Sequence, residues 1–443
     1  MGSKWTFKSL NELGVQLIDC MHKTPSAQVS GVPYIGIPQM KNGEIDFEAS
    51  PRLISESDYK LWTEKANPQY GDIILSRRCN PGETAFVSGR TQFALGQNLV
   101  ILRTNGLSIT AEYLRWALNS SYWWDEVEKY KNPGAIFDSL KCGDVPNFQI
   151  PAPPLSIQNK ISSVLDSLTD RINLNNKVNK TLEQMSQTLF KSWFVDFDPV
   201  IDNALDAGNS IPEALQSRAE LRQKVRNIAD FKPLPADTRA LFPAEFEETE
   251  LGWVPKGWKE VKLSLLSKIT SGKRPPSKFS KPSSINNVPV WGGNGIKWFT
   301  SEYLYNERYI ITGRVGTLGT FYKVNGLSWP SDNALVIQPV NHEFYELIYQ
   351  ALQTKDILSL NAGSTQPLLT QTALGNITLI TPQDRVLLVK FQSICDSFQK
   401  KISANKISID LNTTLRDTLL PKLISGELSL EDLPNLVAQT EPA

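Results

Sequence analysis

The chain contains few of the side chains from which enzymes build catalytic sites. Its two histidines, His22 and His342, leave little material for acid–base catalysis near neutral pH. The four cysteines are far apart and form no CxxC pair: Cys20, Cys79, Cys142 and Cys395. Neither a disulfide framework nor a zinc site is therefore expected, and we predict free, mostly buried thiols.

Two short motifs resemble cofactor or substrate loops, but each lacks part of the pattern. NPQY at 67–70 is similar to the NPPY loop that holds a flipped base in amino-methyltransferases, but Gln69 replaces a proline. GGNG at 292–295 follows an apolar segment, but no helical pattern follows it, which weakens a phosphate-binding interpretation. There is no Walker sequence and no convincing nuclease constellation, so we expect no catalysis by this chain alone.

Length and composition indicate a protein of several domains. The chain has 443 residues, 40% of them hydrophobic and 9% aromatic, which is typical of two to four globular domains. No apolar run approaches the roughly 18 residues that a membrane span requires. The first residues, MGSKWTFKSLNEL, lack the apolar region of a secretory signal. We therefore expect a cytoplasmic protein with no membrane partner.

The zero net charge conceals an uneven distribution of charged residues. Residues 256–281 hold eight Lys/Arg and one Glu, whereas residues 197–250 hold eleven Asp/Glu and six Lys/Arg. The basic run has two interpretations, a solvated face or part of a polyanion-binding surface, and charge alone does not decide between them.

The sequence contains two unequal copies of one plan, about 230 residues apart. LDSLTDRINLNNKVNKTLEQMSQTLF (165–190) aligns without a gap with CDSFQKKISANKISIDLNTTLRDTLL (395–420). Upstream, GDIILSRRCNPGETAFV (71–87) matches ERYIITGRVGTLGTFYKV (307–324), and each predicts a β-hairpin with arginine at its tip. Gene duplication explains the pattern economically.

The aligned segments have the apolar spacing of long helices. Apolar residues recur at alternating steps of three and four, the pattern of a coiled-coil seam. A long helix with a single apolar stripe needs a partner, and we predict that the two helices pack antiparallel on each other. Asn175 and Asn405 fall on the seam, where a polar residue fixes register; the alternative is that each faces solvent.

An aromatic cluster follows the first long helix in TLFKSWFVDFDP (188–199). It comprises Phe190, Trp193, Phe194 and Phe197. Aromatic residues are favoured both in domain cores and in interface cores. The cluster is therefore predicted either to pack on the adjacent domain or to form the docking surface for a partner protein.

These features together resemble HsdS, the specificity subunit of type I restriction–modification systems, along the whole chain. The most specific stretches are LFKSWFVDFDPV (189–200), LFPAEFEETELGWVPKGW (241–258) and DTLLPKLISGEL (417–428). The resemblance implies two target recognition domains, each contacting one half of a split DNA sequence, and no catalytic activity. It further implies two HsdM modification subunits that use S-adenosylmethionine to methylate adenine, and HsdR restriction subunits in the full complex. No cofactor is expected on this chain.

The resemblance and the repeat together predict an α+β architecture, with two mixed domains joined by an antiparallel coiled-coil spacer. The predicted segments are recognition domain 1 (1–153), spacer helix 1 (154–196), an acidic linker (197–256), recognition domain 2 (257–382), spacer helix 2 (383–426) and a C-terminal tail (427–443). Because the two copies differ in their loops, the double-stranded DNA target is expected to be asymmetric.

Arginine and lysine suit guanine, and asparagine and glutamine suit adenine, as side chains that recognise bases. In the first domain we predict DNA contacts from Lys23, Thr24, Arg77, Arg78, Gln97, Asn98, Lys131 and Asn132. In the second we predict them from Lys273, Arg274, Lys278, Asn294, Arg314, Asn333, Ser364, Thr365 and Gln366. Lys273, Arg274 and Lys278 are expected on phosphates, which fix position without carrying sequence information.

Two other functions remain open at this point. The chain could be a freestanding DNA-binding or coiled-coil scaffold without a methyltransferase partner. It could also carry its own methylation activity, in which case the isolated chain would bind S-adenosylmethionine.

Overall fold

The computed structural model describes residues 4–134, 137–250 and 252–428. The chain divides into two compact units. The first comprises residues up to Asn176 together with those from Lys406 onward, and the second comprises Lys177–Asn405. Both units combine sheets with helices, so the predicted α+β class is confirmed. None of the helices in the described ranges is both long enough and apolar enough to cross a bilayer.

In its described residues, the first unit contains eleven strands, three whole helices, part of a fourth helix and the last part of the C-terminal long helix. The strands are β1 (Phe7–Ser9), β2 (Val15–Asp19), β3 (Val32–Ile35), β4 (Met40–Lys41), β5 (Glu44–Ile45), β6 (Arg52–Ile54), β7 (Ile73–Ser76), β8 (Thr84–Phe86), β9 (Ala94–Leu95), β10 (Leu99–Thr104) and β11 (Gln149–Pro151). The helices are α1 (Glu56–Thr63), α2 (Ala111–Ala117), α3 (Ser121–Tyr130) and α4 (Leu155–Phe190), which continues into the second unit.

The second unit contains the remaining elements. Its helices are α5 (Asp198–Ala207), α6 (Gln216–Arg226), α7 (Ala236–Arg239), α8 (Leu263–Leu266), α9 (Tyr345–Gln353), α10 (Gln371–Gly375) and the first part of α11 (Arg385–Ser425). Its strands are β12 (Phe246–Thr249), β13 (Gly252–Pro255), β14 (Trp258–Lys262), β15 (Ser267–Ser271), β16 (Val288–Gly292), β17 (Gly295–Thr300), β18 (Tyr305–Asn306), β19 (Tyr309–Gly313), β20 (Phe321–Val324), β21 (Leu327–Pro330), β22 (Ala334–Pro339) and β23 (Thr378–Pro382).

The main sheets of the two units have the same strand order. In the first unit the order begins β2–β10–β7–β8, and in the second it is β15–β22–β19–β20, with antiparallel pairing throughout. A second pair of strands also corresponds: β1 pairs with β11 in the first unit, and β14 pairs with β23 in the second. The hairpins predicted at 71–87 and 307–324 are confirmed as β7–β8 and β19–β20.

The central strands β10 and β22 are covered on both faces. Val100 and Leu102 face one apolar cluster of the first unit, whereas Leu99 and Ile101 face another. Strand β22 alternates in the same way between two clusters of the second unit. A strand that is buried on both faces reads as a continuous apolar run, which explains LVIL and ALVI in the sequence.

Each long helix begins a few residues after a strand that ends in proline, Pro151 before α4 and Pro382 before α11. In the first unit, residues Ile161–Leu168 of α4 share a core with Leu419–Ile424 of α11, and Asn175 donates its side-chain amide to the Ser408 hydroxyl at 3.1 Å. In the second unit, the buried Asn405 donates to the Asn179 side-chain oxygen at 2.8 Å. Within each unit the two helix segments therefore run antiparallel, and each asparagine is hydrogen-bonded to the opposite helix.

The segment predicted as an acidic linker, 197–256, is a folded part of the second unit. Three Asp side chains on α5 face three Arg side chains on α6, each pair 20 residues apart. The pairs are Asp198 with Arg218, Asp202 with Arg222, and Asp206 with Arg226. Because both helices advance by four residues, about one turn, from one pair to the next, the three pairs stay in register. These three aspartates are thus used internally, in charge-assisted hydrogen bonds.

The aromatic cluster belongs to the core of the second unit. Phe190, Trp193, Phe194 and Phe197 are between 1% and 5% exposed. Phe194 meets Phe391 at a centroid distance of 5.0 Å and Trp258 at 5.6 Å, and Trp193 meets Phe242 at 5.1 Å. A π-helical turn, Lys191–Val195, brings the rings to one side. This corrects the alternative that these four rings form an exposed docking surface, since their area is already buried against the chain's own residues.

We predict that Trp193→Ala strongly destabilises the second unit. Removing a fully buried indole leaves a cavity, which typically costs about 3–5 kcal/mol. The neighbouring Val195, 44% exposed, supplies the matched control, because Val195→Ala should change stability by no more than about 0.5 kcal/mol. Urea unfolding of both variants tests this; equal midpoints would show that the indole does not hold this core.

Candidate nucleic-acid interface

Four segments of the first unit meet where β7 ends and β10 begins. The Arg77 amide donates to the Asn98 carbonyl at 3.0 Å, and the Leu140 amide donates to the Arg77 carbonyl at 2.8 Å. Arg78 bridges to Ser139, which in turn pairs with Asn132. The hairpin turn, the residues before β10 and the segment after α3 are thus joined by backbone hydrogen bonds, which brings the predicted residues of these segments together.

The loop after β2 joins the same group through Tyr34. The Tyr34 hydroxyl donates to the Lys23 carbonyl at 3.2 Å and accepts the Gln97 amide at 3.0 Å. The Trp62 indole also donates to the Lys23 carbonyl, at 3.0 Å. The side chains of Lys23, Thr24 and Gln97 are exposed. Their backbone is therefore fixed while their donors and acceptors face solvent.

His22 links the Arg77 side chain to the end of β2. Arg77 Nη2 lies 3.0 Å from His22 Nδ1, and His22 Nε2 lies 3.0 Å from Asp19 Oδ2. In the tautomer that carries its proton on Nε2, His22 donates to Asp19 and accepts from Arg77. The Cys20 thiol donates to the Gly96 carbonyl at 3.3 Å, and burial raises its pKa to about 11. The Asp19, Cys20 and His22 ligand atoms lie within 4.8 Å of one another, but hydrogen bonds already occupy them.

Lys131 differs from the other predicted cations of the first unit. Its ammonium group lies 2.6 Å from Glu128 and 3.8 Å from Asp138. These carboxylates, with the Glu128 hydrogen bond as the largest cause, raise the pKa of Lys131. The adjacent Asn132 uses its amide on the Tyr130 carbonyl. The charge of Lys131 is thus compensated within the protein, which reduces its value for a phosphate or a base.

The second unit repeats this construction with different side chains. The Arg314 amide donates to the Asn333 carbonyl at 2.9 Å, and the Leu369 amide donates to the Arg314 carbonyl at 2.8 Å. The Gly316 amide donates to the Pro367 carbonyl at 2.9 Å, beside the exposed residues Ser364, Thr365 and Gln366. The predicted residues Arg314, Asn333 and 364–366 therefore lie together.

Lys273 and Asn294 join the same end of the second unit. The Trp329 indole donates to the Lys273 carbonyl at 2.9 Å, matching Trp62 and Lys23 in the first unit. Asn294 is exposed in the tight β16–β17 turn, so GGNG forms a hairpin turn. A Cβ atom at the preceding Gly293 would lie 2.8 Å from the Gly313 Cα, so only glycine permits this approach to the Arg314 turn. Arg274 is exposed beside Lys273, and Lys278 lies over the Trp298 ring at 4.4 Å.

Electrostatics favour an anionic partner at these segments. In the described part of the chain, no ion pair joins Lys23, Arg77 or Arg78 to a carboxylate, and the same holds for Lys273, Arg274 and Arg314. Most other arginines near the sheets are neutralised, for example Arg103 by Asp72 at 2.7 Å. The NPQY loop supports that pair, since the Asn67 carbonyl accepts from Arg103 and the Gln69 amide donates to Asp72. Uncompensated cations beside exposed amides are the groups that duplex DNA requires.

Several supporting residues were not predicted from the sequence. Three of them, His22, Trp62 and Trp329, are hydrogen-bonded to predicted residues and were not themselves predicted. Gln371 is a fourth case, because its amide donates to Ser271 at 2.9 Å, beside Arg314. His22 had a usable signal, since it directly precedes Lys23. The thiol prediction was only partly right, because Cys20 and Cys395 are buried but Cys79 is exposed at the hairpin tip.

Comparisons of the sequence with a family model and with known proteins point to the same family. The family model described as "Type I restriction modification DNA specificity domain" matches twice, at residues 2–184 and 255–412. The chain is 28% identical over 406 residues to the type I restriction enzyme HindI specificity subunit of Haemophilus influenzae, covering 81% of this chain and 86% of that protein. It is 25% identical over 456 residues to the MjaIX specificity subunit of Methanocaldococcus jannaschii, covering 97% and 94%.

A solved structure shows the same fold. The S subunit of a type I restriction–modification system from M. genitalium superposes with a TM-score of 0.58 at 19% identity, covering 95% of this chain and 96% of that one. The two matches of the family model coincide with the two sheet-containing regions described above. The chain therefore belongs to the family of HsdS specificity subunits of type I restriction–modification systems.

Proposed function

We propose that each unit contacts one half of an asymmetric, bipartite DNA target through the segments joined around Arg77 and Arg314. The observation that carries this proposal is the shared construction of the two sites. Both units place an arginine and its facing asparagine at corresponding points of the main sheet, and in both a nearby lysine carbonyl accepts from a tryptophan indole. Their surrounding loops differ in length and sequence, so the two halves of the target should differ as well.

The partners follow from the family to which the chain belongs. We propose that two modification subunits bind this chain and methylate adenine, and that restriction subunits join the full complex. S-adenosylmethionine would then be held by the modification subunits, not by this chain. The long helices α4 and α11, each shared by both units, are the elements proposed to hold the spacing of the half-sites as a coiled-coil spacer and to dock these partners. A paired helix is stiff enough to serve as such a spacer.

Two rival functions are distinguished by one co-expression experiment. A specificity subunit co-purifies with the modification subunits, and only that complex methylates DNA containing the target. A freestanding DNA-binding scaffold would purify without them. A chain with its own activity would bind S-adenosylmethionine and methylate DNA in their absence.

We predict that exchanging residues 1–150 for those of a relative changes only one half of the methylated motif. The physical reason is that the whole construction around Arg77, from β2 to Leu140, lies within this segment. Sequencing methylated adenines in cells that express the hybrid complex measures the motif directly. A hybrid in which both halves change would contradict independent recognition by the two units.

We predict that target DNA protects Cys79 from alkylation. Cys79 is exposed beside Arg78, whereas burial raises the pKa of the Cys20 thiol to about 11 and that of Cys395 to about 12. The two buried thiols therefore stay protonated near pH 7.5 and react slowly with maleimide, becoming reactive only as the pH rises toward those values. Cys142→Ser removes the half-exposed thiol, whose pKa burial also raises.

The alkylation experiment uses the complex with modification subunits and peptide mapping by mass spectrometry. A duplex with the intact motif should slow the labelling of Cys79 several-fold more than a duplex with a scrambled first half-site. Equal rates with both duplexes would show that the 77–83 turn does not face the recognised bases.

A further inference from the structure

The turns that carry Arg77 and Arg314 occupy the same position in their sheets. Ser76 is opposite Leu99 in the ladder, and Gly313 is opposite Ala334. Arg77 and Arg314 are therefore each the first residue after the pairing ends, and Asn98 and Asn333 are each the last residue before it begins. This correspondence follows from strand pairing alone and does not depend on the sequence alignment.

The backbone amide and carbonyl of both arginines are hydrogen-bonded within the protein. Each amide donates to the facing asparagine carbonyl, at 3.0 Å for Arg77 and 2.9 Å for Arg314. Each carbonyl accepts a leucine amide from a later loop, at 2.8 Å in both cases. Because the backbone is anchored, the direction of the Cα–Cβ bond is fixed, and each arginine side chain leaves the turn from a defined position.

The support for each guanidinium comes from the same strand position. Asp19, the last residue of β2, is opposite Val100, and Ser271, the last residue of β15, is opposite Leu335. Val100 lies two residues after Asn98, and Leu335 lies two residues after Asn333, so Asp19 and Ser271 correspond. Asp19 reaches Arg77 through His22, whereas the Ser271 hydroxyl lies 3.4 Å from Arg314 Nη1.

We propose that Arg77 and Arg314 recognise a guanine at the corresponding base pair of each half-site, with His22 and Ser271 as their positioning residues. This inference rests on the proposed function. A bidentate arginine on guanine O6 and N7 is the commonest specific base contact. It favours a planar donor group that is held before binding, because less side-chain freedom is lost on association. A phosphate contact demands less of the side chain, since a lysine can also make it as a point charge.

Both half-sites should therefore include a G·C pair, one contacted by Arg77 and the other by Arg314. The neighbouring bases are free to differ, because the supports and the loops differ between the units.

The test uses the complex with its modification subunits and a plasmid library in which each base pair of both half-sites is varied in turn. The readout is the methylated fraction for every base at every position. Arg77→Gln should lower the preference for guanine roughly tenfold or more at one position of one half-site. Arg314→Gln should do the same in the other half-site. Lys8→Gln, which removes one exposed charge from β1, is the control and should leave all preferences unchanged.

Positioning is tested at His22. His22→Ala should weaken discrimination at the same base pair as Arg77→Gln and at no other. His22→Asn places an amide oxygen near the former Nδ1 and should restore much of it. If both variants lower methylation evenly over all sequences, His22 is structural and this part of the proposal is wrong.

Two outcomes would overturn the proposal. One is an Arg77→Gln complex that methylates less but keeps every base preference, which indicates a phosphate contact. The other is a change in both half-sites. If Arg77→Gln fails to assemble, Arg77→Met decides, because it keeps a long side chain and loses every donor: unchanged preference for guanine would exclude base recognition by Arg77. A wild-type complex without any sequence motif would instead refute the proposed function itself.

Discussion

The constraint on which each unit depends is the burial of its central strand on both faces. Residues 99–102 of β10 and 334–337 of β22 are buried on both faces, so the backbone groups there need partners within the protein. The carbonyls just before these strands, at Asn98 and Asn333, are satisfied by the amides of Arg77 and Arg314. An arginine turn is thereby fixed against the start of a buried central strand. The positions of the candidate DNA-contacting residues are therefore set by the core, and not by the loops that contain them.

The sequence was most informative where periodicity and turn chemistry coincide. The long helices and the two arginine-tipped hairpins follow from local patterns, and the structure contains all of them. The Asn175 and Asn405 side chains were predicted at helix contacts, and each has a partner on the opposite helix. These features could be predicted because heptad spacing and Gly-containing turns constrain structure within a few residues.

Long-range packing was not accessible in the same way. The Phe190–Phe197 aromatics are equally suited to a core and to an interface, and only the position of Phe391 and Trp258 shows that they are core residues. The charge of segment 197–256 predicts a linker, yet three of its aspartates face arginines 20 residues away in sequence. Composition records the charges but not which of them face each other. Lys131 shows the same limit within the candidate site, because only the structure reveals Glu128 and Asp138 beside it.

The three Asp–Arg pairs between α5 and α6, here called the ladder, also affect how the two helices are aligned. Its rungs are chemically identical, so sliding one helix by a single turn would pair Asp198 with Arg222 and Asp202 with Arg226. Two Asp–Arg pairs would still form, so the ion pairs alone do not distinguish between these two alignments of the helices. Asn203 fixes α5 against residues 239–242 and not against α6, because its amide donates to the carbonyl of Phe242 at 2.9 Å and its side-chain oxygen accepts from Arg239 at 2.7 Å. Charge thus holds the two helices side by side, while contacts other than these three ion pairs must select which of the near-equivalent alignments is kept.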